Sequence, residues 1–257
     1  MSTAFKVVIP ARYASTRLPG KPLLQLAGRP MLQHVHECAR RSGAQEIVVA
    51  TDDRRIETAA TAFGAQVCMT SAEHSSGTER LSEVVESLGW QQDAIVVNLQ
   101  GDEPMMPPAL IRQVAGNLAS HEAAAIATLA SPVTDSGQMT DPNVVKVVLD
   151  RAGFALYFSR APIPWRRDSE AGQQPGDGYG NGLHHIGMYA YRAGFLQRFK
   201  QLEPSPLEAV EKLEQLRALW HGLKIHVGIA TALPGPGVDT EADLQRVEQL
   251  LQARQGT

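Results

Sequence analysis

The sequence predicts an α/β fold in which a mostly parallel β-sheet is flanked by helices and carries a smaller antiparallel insertion. Two observations support this fold class. Short apolar runs alternate with helical patterns through the first half of the chain, and these runs are nearly continuous, as in strands with both faces covered. After about Ser131, strand-like runs follow each other without a long helix between them, which indicates antiparallel pairing.

The first half of the chain contains five predicted strands, each rich in Val, Ile or Ala. They cover residues 5–9, 47–50, 67–70, 94–99 and 124–129. The intervening helices have recognisable ends. Pro30 suits a first helical position, Gly43 suits a C-terminal stop, and Ser76 with Glu79 forms a capping-box pattern. Strand–helix alternation with short connections favours a parallel sheet between layers of helices.

The second half begins with the predicted antiparallel strands and then returns to the α/β pattern. The strand-like runs are 144–149, 154–159 and 186–191, with a hairpin turn at 150–153 and a Gly-, Gln- and Pro-rich stretch at 168–182. A helix is expected from about Ser205, where Glu208 completes a second capping box, to His221. Strand 224–230 and a final helix from Thr240 follow. The predicted domains are therefore an α/β domain of residues 1–131 and 193–257 and an antiparallel insertion of residues 132–192.

Composition excludes several classes of protein. At 257 residues with a formal net charge of −3, the chain is long enough for a substantial core and has no overall basic surface for nucleic acid. No apolar run approaches the roughly 20 residues that cross a bilayer, and the N-terminus lacks a secretory pattern. Cys38 and Cys68 form no CxxC pair, so we expect reduced thiols in a cytoplasmic protein.

A cationic loop directly follows the first predicted strand. Residues 9–23 read IPARYASTRLPGKPL and place Arg12, Arg17 and Lys21 among Pro, Gly, Ser and Thr. Such a loop lies at the carboxyl edge of the sheet, where open α/β folds bind ligands. Gly20 allows the backbone to approach a ligand, and the three cations could surround phosphate oxygens. Solvated surface cations are the alternative; the loop matches neither a Walker nor a dinucleotide-binding motif. It favours a phosphate site without naming a reaction.

Two carboxylates stand at comparable positions in distant parts of the chain. Asp102, in NLQGDEP, comes just after a buried strand, and Asp239, in GVDT, lies in a turn after the last strand. Both could converge on one pocket, and hard carboxylate oxygens suit Mg²⁺ completed by waters and substrate phosphates. The alternatives are a turn-forming residue for Asp102 and a helix cap for Asp239.

The cationic loop, followed by AGRPML, resembles the N-terminal signature of the sugar nucleotidyltransferases. In detail it is similar to the family of cytidylyltransferases that act on 3-deoxy-manno-octulosonate (Kdo). Further matching segments span nearly the whole chain: VATDD (49–53), HSSGTERL (74–81), NLQGDEP (98–104), NVVKVVLD (143–150), ALYFSRAPIPW (155–165), HHIGMYAYR (184–192), SPLEAVEKLEQLR (205–217) and PGPGVDT (234–240). The joint pattern is specific, although no single segment would be.

The resemblance implies a Rossmann-like nucleotidyltransferase fold of the GT-A type and a particular reaction. CMP would pass from CTP to the anomeric 2-hydroxyl of Kdo, giving CMP-Kdo and pyrophosphate for lipopolysaccharide biosynthesis. Mg²⁺ on Asp102 and Asp239 would be the cofactor, and Arg12 and Lys21 would join these aspartates as catalytic residues. The resemblance also implies a homodimer, with the insertion at 132–192 providing both sugar binding and the dimer contact.

The resemblance further implies two sets of binding residues. The nucleotide-binding set is Arg12, Arg17, Lys21, Ser76, Thr78, Arg80 and Gln100. The sugar-binding set is Arg160, His185, Tyr189, Glu214 and Gln215. Structural roles are open for several of them, because Ser76 could simply cap a helix, His185 and Tyr189 could be core residues, and Glu214 and Gln215 could face solvent.

Other functions remain possible from the sequence. A cytidylyltransferase for 8-amino-Kdo or sialic acid would keep the loop and the aspartates. A GT-A-type glycosyltransferase shares the strand–helix alternation and a carboxylate metal site, but usually presents a DxD-type motif where this chain has GDEP. A catalytically silent nucleotide-binding protein is a third alternative, which the presence of both Asp102 and Asp239 disfavours.

Overall fold

The structure, a computed structural model, has a central β-sheet between two layers of helices, and it describes residues 3–14, 18–74, 76–165, 167 and 182–255. The described strands are β1 Lys6–Pro10, β2 Gln25–Leu26, β3 Arg29–Pro30, β4 Glu46–Thr51, β5 Gln66–Met69, β6 Ile95–Asn98, β7 Ala124–Pro132, β8 Lys146–Leu149, β9 Ala155–Ser159, β10 Leu183–Arg192 and β11 Lys224–Ile229. The described helices are α1 Met31–Arg41, α2 Arg54–Ala62, α3 Gly77–Ser87, α4 Pro108–Ser120, α5 Ser136–Thr140, α6 Ala193–Phe199, α7 Pro206–Glu211, α8 Gln215–Trp220 and α9 Glu241–Gln255.

The central sheet has the strand order β11-β7-β10-β6-β1-β4-β5. Its neighbouring strands are parallel except at β10, which runs antiparallel to both β7 and β6. Strands β8 and β9 form an antiparallel hairpin that joins the sheet through β10. The predicted fold class, a mostly parallel sheet with a smaller antiparallel part, is confirmed.

Strand β10 belongs to both parts of the fold. Its first residues, Leu183 and His184, pair with β8, whereas Tyr189 to Arg192 pair with β6 in the middle of the main sheet. The predicted insertion, residues 132–192, contains all of β10. The end of this strand nevertheless pairs within the main sheet. A strand of ten residues is long enough to leave the hairpin and continue into the central sheet. The assignment of separate roles to the two parts stays a prediction.

Both faces of the sheet are covered, which explains the continuous apolar runs in the sequence. On one face, Val7 and Ile9 of β1 pack with buried residues of α1 and α4. On the other face, Val8 packs with buried residues of α3, α6 and α8. Among the described residues, no helix combines the length and the apolar character that crossing a membrane requires.

The helix predicted from Ser205 to His221 is wrong in one respect, because the structure divides it into α7 and α8. The Ser205–Glu208 capping box at its start is confirmed. Lys212 then adopts φ 54° and ψ 44°, a left-handed conformation that cannot continue an α-helix. After the break, the Leu213 side chain is buried in the core, and Glu214 and Gln215 lie at the start of α8.

Candidate active site

The cationic loop folds back on itself before it reaches Lys21. The Gly20 amide donates to the Tyr13 carbonyl over 3.0 Å, and Gly20 has φ +69°. A Cβ at this position would lie 3.1 Å from the Tyr13 ring, so both the conformation and the close packing favour glycine. Lys21 then begins a short 3₁₀ helix, Lys21–Leu23. Arg17, predicted to contact phosphate, lies outside the described residues.

The loop that carries Asp102 packs closely against the end of β1. A Cβ on Gly101 would lie 2.8 Å from the Pro10 carbonyl oxygen, a distance that real Cβ atoms do not adopt. Glycine is therefore required for the two backbones to approach each other. This contact places Asp102 beside the cationic loop, as expected for the carboxyl edge of neighbouring parallel strands.

Asp102 and Asp239 converge on one atom, the Lys21 Nζ. The ammonium donates to Asp102 Oδ2 over 2.7 Å, to the Val238 carbonyl over 2.9 Å and to Asp239 Oδ1 over 3.1 Å. The Val238 amide also donates to the Asp102 carbonyl over 3.0 Å, which joins the two acidic loops directly. The Lys21 side chain is only 14% exposed, whereas those of Asp102 and Asp239 are 37% and 55% exposed. The carboxylates therefore remain accessible to a ligand.

Around the Lys21 ammonium, acidic side chains outnumber basic ones. Burial acts to lower the pKa of Lys21, but hydrogen bonds and charge interactions with Asp102 and then Asp239 outweigh it and raise the pKa. Next to Asp102, burial raises the pKa of Glu103 to about 7, and the charges of Asp102 and Asp239 add to the effect. A divalent cation would relieve this excess of negative charge.

The donor set suits a metal that takes part of its coordination from the substrate. In the part of the chain that the structure describes, no group of three or more His, Cys, Asp or Glu residues is arranged to hold a metal. Asp102 and Asp239 thus offer two carboxylates on one accessible edge. Mg²⁺ commonly binds through one or two carboxylates and keeps waters and phosphate oxygens as its other ligands, so these residues fit it.

Arg12, earlier in the cationic loop than Lys21, contacts the segment before α3. Its Nη2 donates to the His74 carbonyl over 2.8 Å. The segment around His74 is held by Glu83, which accepts from the Ser71 amide over 2.9 Å and also contacts the His74 ring. Burial, followed by the charge of Arg80, lowers the pKa of Arg12. Arg12 is thus half-buried and anchored at a backbone carbonyl near the start of α3.

Arg80 and Ser76 make contacts within the protein near the start of α3, and their nucleotide-binding roles stay predictions. Arg80 is fully buried; its guanidinium donates to the Thr70 hydroxyl and, over 3.1 Å, to Asp52 Oδ2. The guanidinium is therefore held in the interior and has no exposed surface in this structure. Ser76 is the N-cap of α3 and accepts from the Glu79 amide over 3.3 Å. Both residues thus support the segment before α3.

Thr78, Glu214, Gln215 and Tyr189 meet around one cavity. The Thr78 hydroxyl donates to Glu214 Oε2 over 2.6 Å, joining the starts of α3 and α8. The cavity, of about 70 Å³, is lined by Thr78, Ile126, Tyr189, Tyr191, Phe199, Glu214 and Gln215. Glu214 and Gln215 therefore face inward rather than towards solvent, since the break after α7 turns the start of α8 towards the sheet.

His185 lies behind Tyr189 and is almost fully buried. Its Nε2 is 3.0 Å from the Thr128 hydroxyl, and its ring centroid is 5.3 Å from that of Tyr189. Burial, with a further contribution from the charge of His184, lowers the pKa of His185 to about 3. A neutral imidazole at this position supports the Tyr189 ring.

Arg160 and Gln100 complete the set of predicted residues. The Arg160 guanidinium donates to the Glu211 carbonyl over 2.7 Å and to the Pro142 carbonyl over 2.8 Å. Arg160 thus ties the end of β9 to the end of α7. Gln100 is half-buried in the turn between β6 and Asp102, where its carbonyl accepts from the Glu103 amide.

Sequence reasoning missed two residues of this region. Asp52 is the partner of Arg80, and it lies in the VATDD segment that matched the family. Tyr191 lines the cavity with Tyr189. The signal for Tyr191 was the alternation in HHIGMYAYR, since residues two apart on a strand share a face.

Acid should destabilise the fold through His185. The folded pKa of about 3 lies below the ordinary value of 6.5, so only the unfolded state takes up a proton as the pH falls through 6.5. Stability from this group is complete above about pH 6.5, and about 2 kcal/mol is lost at pH 5 relative to pH 8. Urea unfolding at the two pH values measures this loss. His185→Gln should show a correspondingly smaller loss; equal losses in both proteins would contradict the assignment.

A family model described as "Cytidylyltransferase" matches residues 6–225 of the chain. The match covers the cationic loop, Asp102, the cavity residues and the antiparallel hairpin. The chain belongs to the cytidylyltransferase family and is therefore a nucleotidyltransferase.

Relatives within the family make the comparison more specific. The chain is 57% identical over 248 residues to a 3-deoxy-manno-octulosonate cytidylyltransferase of Idiomarina loihiensis, covering 96% of this chain and 98% of that protein. It is 55% identical over 260 residues to the enzyme of the same name from Pasteurella multocida, covering 97% and 99%. A solved structure of CMP:2-keto-3-deoxy-manno-octonic acid synthetase complexed with CTP superposes with a TM-score of 0.88 at 43% identity, covering 98% and 99%. The resemblance to the 3-deoxy-manno-octulosonate cytidylyltransferases is confirmed.

Proposed function

We propose that this chain transfers CMP from CTP to the anomeric 2-hydroxyl of Kdo, with release of pyrophosphate, and so supplies CMP-Kdo for lipopolysaccharide biosynthesis. The observation that carries the proposal is the convergence of Asp102 and Asp239 on Lys21 Nζ at the carboxyl edge of the sheet. The names of the relatives supply the nucleotide and the sugar.

The reaction needs charge neutralisation more than covalent help from the protein. The triphosphate of CTP is a polyanion, and in-line attack on its α-phosphorus is favoured by cations that hold the phosphates in place. Lys21, which contacts the two aspartates, and Arg12, which contacts the segment before α3, would share this task. Arg17 stays a predicted third contributor.

Asp102 and Asp239 would hold Mg²⁺ at the edge of the cleft. The bound ion would offset phosphate charge and lower the pKa of the attacking hydroxyl. The two aspartates keep their carboxylates exposed while covering Lys21, so the phosphates and the ion would meet next to the ammonium.

The nucleotide would lie between the cationic loop and the start of α3. Two residues would contact it there: Gln100, which follows the end of β6, and Thr78, which lies in the first turn of α3. Ser76 would contribute by capping α3, and Arg80 by holding the segment that carries the His74 carbonyl. This assignment gives Arg80 an indirect effect on the nucleotide.

The sugar would bind at the mouth of the cavity lined by Tyr189, Glu214 and Gln215. At about 70 Å³ the cavity is smaller than the roughly 300–1,000 Å³ of typical ligand sites, so it would form only the deep end of the sugar site. Arg160 would supply the positive charge for the sugar carboxylate, and His185 would support Tyr189 from behind.

A pyrophosphate-release assay with a panel of nucleotides and acidic sugars tests the proposal. We expect turnover with CTP and Kdo in the presence of Mg²⁺, and loss of turnover when EDTA removes the metal. Turnover with UTP or GTP but not CTP would reject the nucleotide. Preference for sialic acid or 8-amino-Kdo would reject the sugar and replace it with that acid.

We further propose a cytoplasmic homodimer. Exposed Leu156 and Trp165, on and after β9, give the hairpin an apolar surface that a second copy could cover, with exposed fractions of 62% and 79%. Both cysteines are free thiols, which suits a reducing compartment. Light scattering that gives the mass of a single chain at assay concentration would contradict the dimer.

A further inference from the structure

Lys146, on β8, is a lysine whose side chain is completely buried. Its relative exposure is 0%. Its ammonium donates to the carbonyl oxygens of Asp141, Val144 and Arg160, over 2.9, 2.5 and 2.6 Å. An ammonium has three N–H groups, so these carbonyls can satisfy it completely. A buried charge is costly even when it is hydrogen-bonded, and an apolar side chain of similar length would fill the same space at lower cost. The contacts of the ammonium therefore need an explanation beyond packing.

Two of the three carbonyls belong to a turn that also holds the Arg160 side chain. The turn runs from Asp141 to Val144 and is closed by a hydrogen bond from the Val144 amide to the Asp141 carbonyl over 3.2 Å. Between these two residues lies Pro142, whose carbonyl accepts from Arg160 Nη1 over 2.8 Å. Lys146 thus holds the turn on both sides of the carbonyl that accepts from the guanidinium.

The backbone of Arg160 is fixed on both sides of the residue. Lys146 holds its carbonyl, whereas the Glu211 carboxylate accepts from its amide over 2.9 Å. The Glu211 carbonyl also accepts from Arg160 Nε over 2.7 Å. A guanidinium has five N–H donors, so it can make its bonds to the Glu211 and Pro142 carbonyls and still bind a carboxylate.

Lys146 lies next to two segments of the predicted sugar site. Its Cα pairs with that of His184 on β10 and with that of Ser159 on β9. The residues that follow these two along the chain are His185 and Arg160, and both belong to the predicted sugar-binding set. The ammonium is therefore buried directly behind the part of the hairpin that would meet the sugar.

We propose that Lys146 is a positioning residue for the sugar carboxylate. By holding the turn and the Arg160 carbonyl together, it keeps the Arg160 guanidinium at the place where that carboxylate would bind. The proposal rests on the proposed function, in which Arg160 supplies the positive charge for the sugar. It assigns Lys146 no contact with the sugar itself.

Lys146→Met tests the proposal, since Met keeps much of the side-chain length without the ammonium. A contact between a guanidinium and a carboxylate depends on alignment, so KM for Kdo should rise at least about 5-fold. We expect kcat and KM for CTP to change less than about 2-fold, because the sugar carboxylate is bound alike in the ground and transition states.

Val147→Ala is the matched control for a loss of stability in the same strand. Val147, the next residue on β8, is completely buried in the core, and its truncation leaves the ammonium in place. It should lower the melting temperature with less than about a 2-fold change in KM for Kdo. An equal increase in KM in Lys146→Met and Val147→Ala would show that Lys146 acts through stability alone and would overturn the proposal.

The double variant with Arg160→Met shows whether Lys146 acts through Arg160. Arg160→Met alone should raise KM for Kdo at least about 10-fold. Adding Lys146→Met should then raise KM no further, because the group that Lys146 positions is already missing. Additive effects would overturn the proposal, as would an unchanged KM for Kdo in Lys146→Met.

Asp141→Ala keeps the proposal testable if Lys146→Met does not fold. The Asp141 carboxylate accepts from the amide and the side chain of Asn143 over 2.8 and 3.0 Å at the surface. Its removal loosens the turn while leaving the Asp141 carbonyl and Lys146 in place. KM for Kdo should rise about 3-fold, and not at all in the Arg160→Met background; an unchanged KM in Asp141→Ala would overturn the proposal.

Failure of the proposed function gives different results. An Arg160→Met protein with unchanged KM for Kdo would remove Arg160 from the sugar site and overturn the role of Lys146 with it. A wild-type protein that uses another acidic sugar instead of Kdo would reject only the sugar. In that case the same increases in KM are expected for the sugar that the protein does use, and their absence would overturn the proposal.

Discussion

Asn in place of Asp102 or Asp239 should each lower kcat/KM at least about 10³-fold, which corresponds to about 4 kcal/mol of transition-state stabilisation. The described residues offer only these two carboxylates at the proposed metal position, so neutralising either one removes half of the anionic ligand set. The change should affect turnover with every nucleotide, because it acts on the ion and the phosphates rather than on the base.

The fold should survive both substitutions. The two carboxylates are 37% and 55% exposed, and Asn is close in shape to Asp. Removing one negative charge also relieves repulsion at Glu103, whose pKa the two aspartates help to raise to about 7. Pyrophosphate release and thermal unfolding, measured on the same preparations, separate the two effects.

Asp135→Asn provides the matched control, since it makes the same chemical change at the N-cap of α5. Asp135 accepts from the Gly137 amide over 3.0 Å, and Asn is an equally good N-cap. It should retain wild-type turnover. Near-normal rates in either the Asp102 or the Asp239 variant would remove that carboxylate from the metal site.

Lys21→Met should lower kcat/KM for CTP about 10²- to 10³-fold and, in the protein without nucleotide, strengthen binding of a divalent cation. Catalysis falls because the covered ammonium no longer offsets phosphate charge. Cation binding rises because Asp102 and Asp239 lose the positive partner that now lies 2.7 and 3.1 Å from their oxygens.

The two opposite effects make the Lys21 experiment decisive. Steady-state kinetics measures the decrease in kcat/KM. Titration with Mn²⁺, followed by electron paramagnetic resonance, measures the stronger binding of the cation. Lys21→Arg is the control that keeps the charge; it should retain weak cation binding and only part of the activity, since a guanidinium has a different shape. A parallel loss of metal binding and activity in Lys21→Met would show that Lys21 is needed to arrange the aspartates.

The sequence predicted the strands of the sheet because their signals are local. Each apolar run, each Gly stop and the Ser205–Glu208 capping box can be recognised within a few residues. The insertion of β10 between β7 and β6 could not be predicted in this way, because pairing between distant segments leaves no local pattern. The break at Lys212 was also missed, since a lysine gives no warning of a left-handed conformation.

The sequence was sufficient to predict where the candidate site lies, but not which contacts each of its residues makes. The positions of Asp102, Asp239 and Lys21 at loops after strands were sufficient to place them at one edge, and the structure brings them together. The burial of Arg80 depends on Asp52, which lies on another element, and so required the folded arrangement. The same is true of the hydrogen bond between Thr78 and Glu214, whose partners are far apart in the chain.

A crystal structure with Mn²⁺ and CTP, with anomalous scattering recorded for the metal, would show whether Asp102 and Asp239 bind the same ion. We expect one strong metal peak about 2 Å from an oxygen of Asp102 and an oxygen of Asp239, with triphosphate oxygens completing its coordination. A metal peak that contacts only one of the two aspartates, or lies away from both, would contradict it.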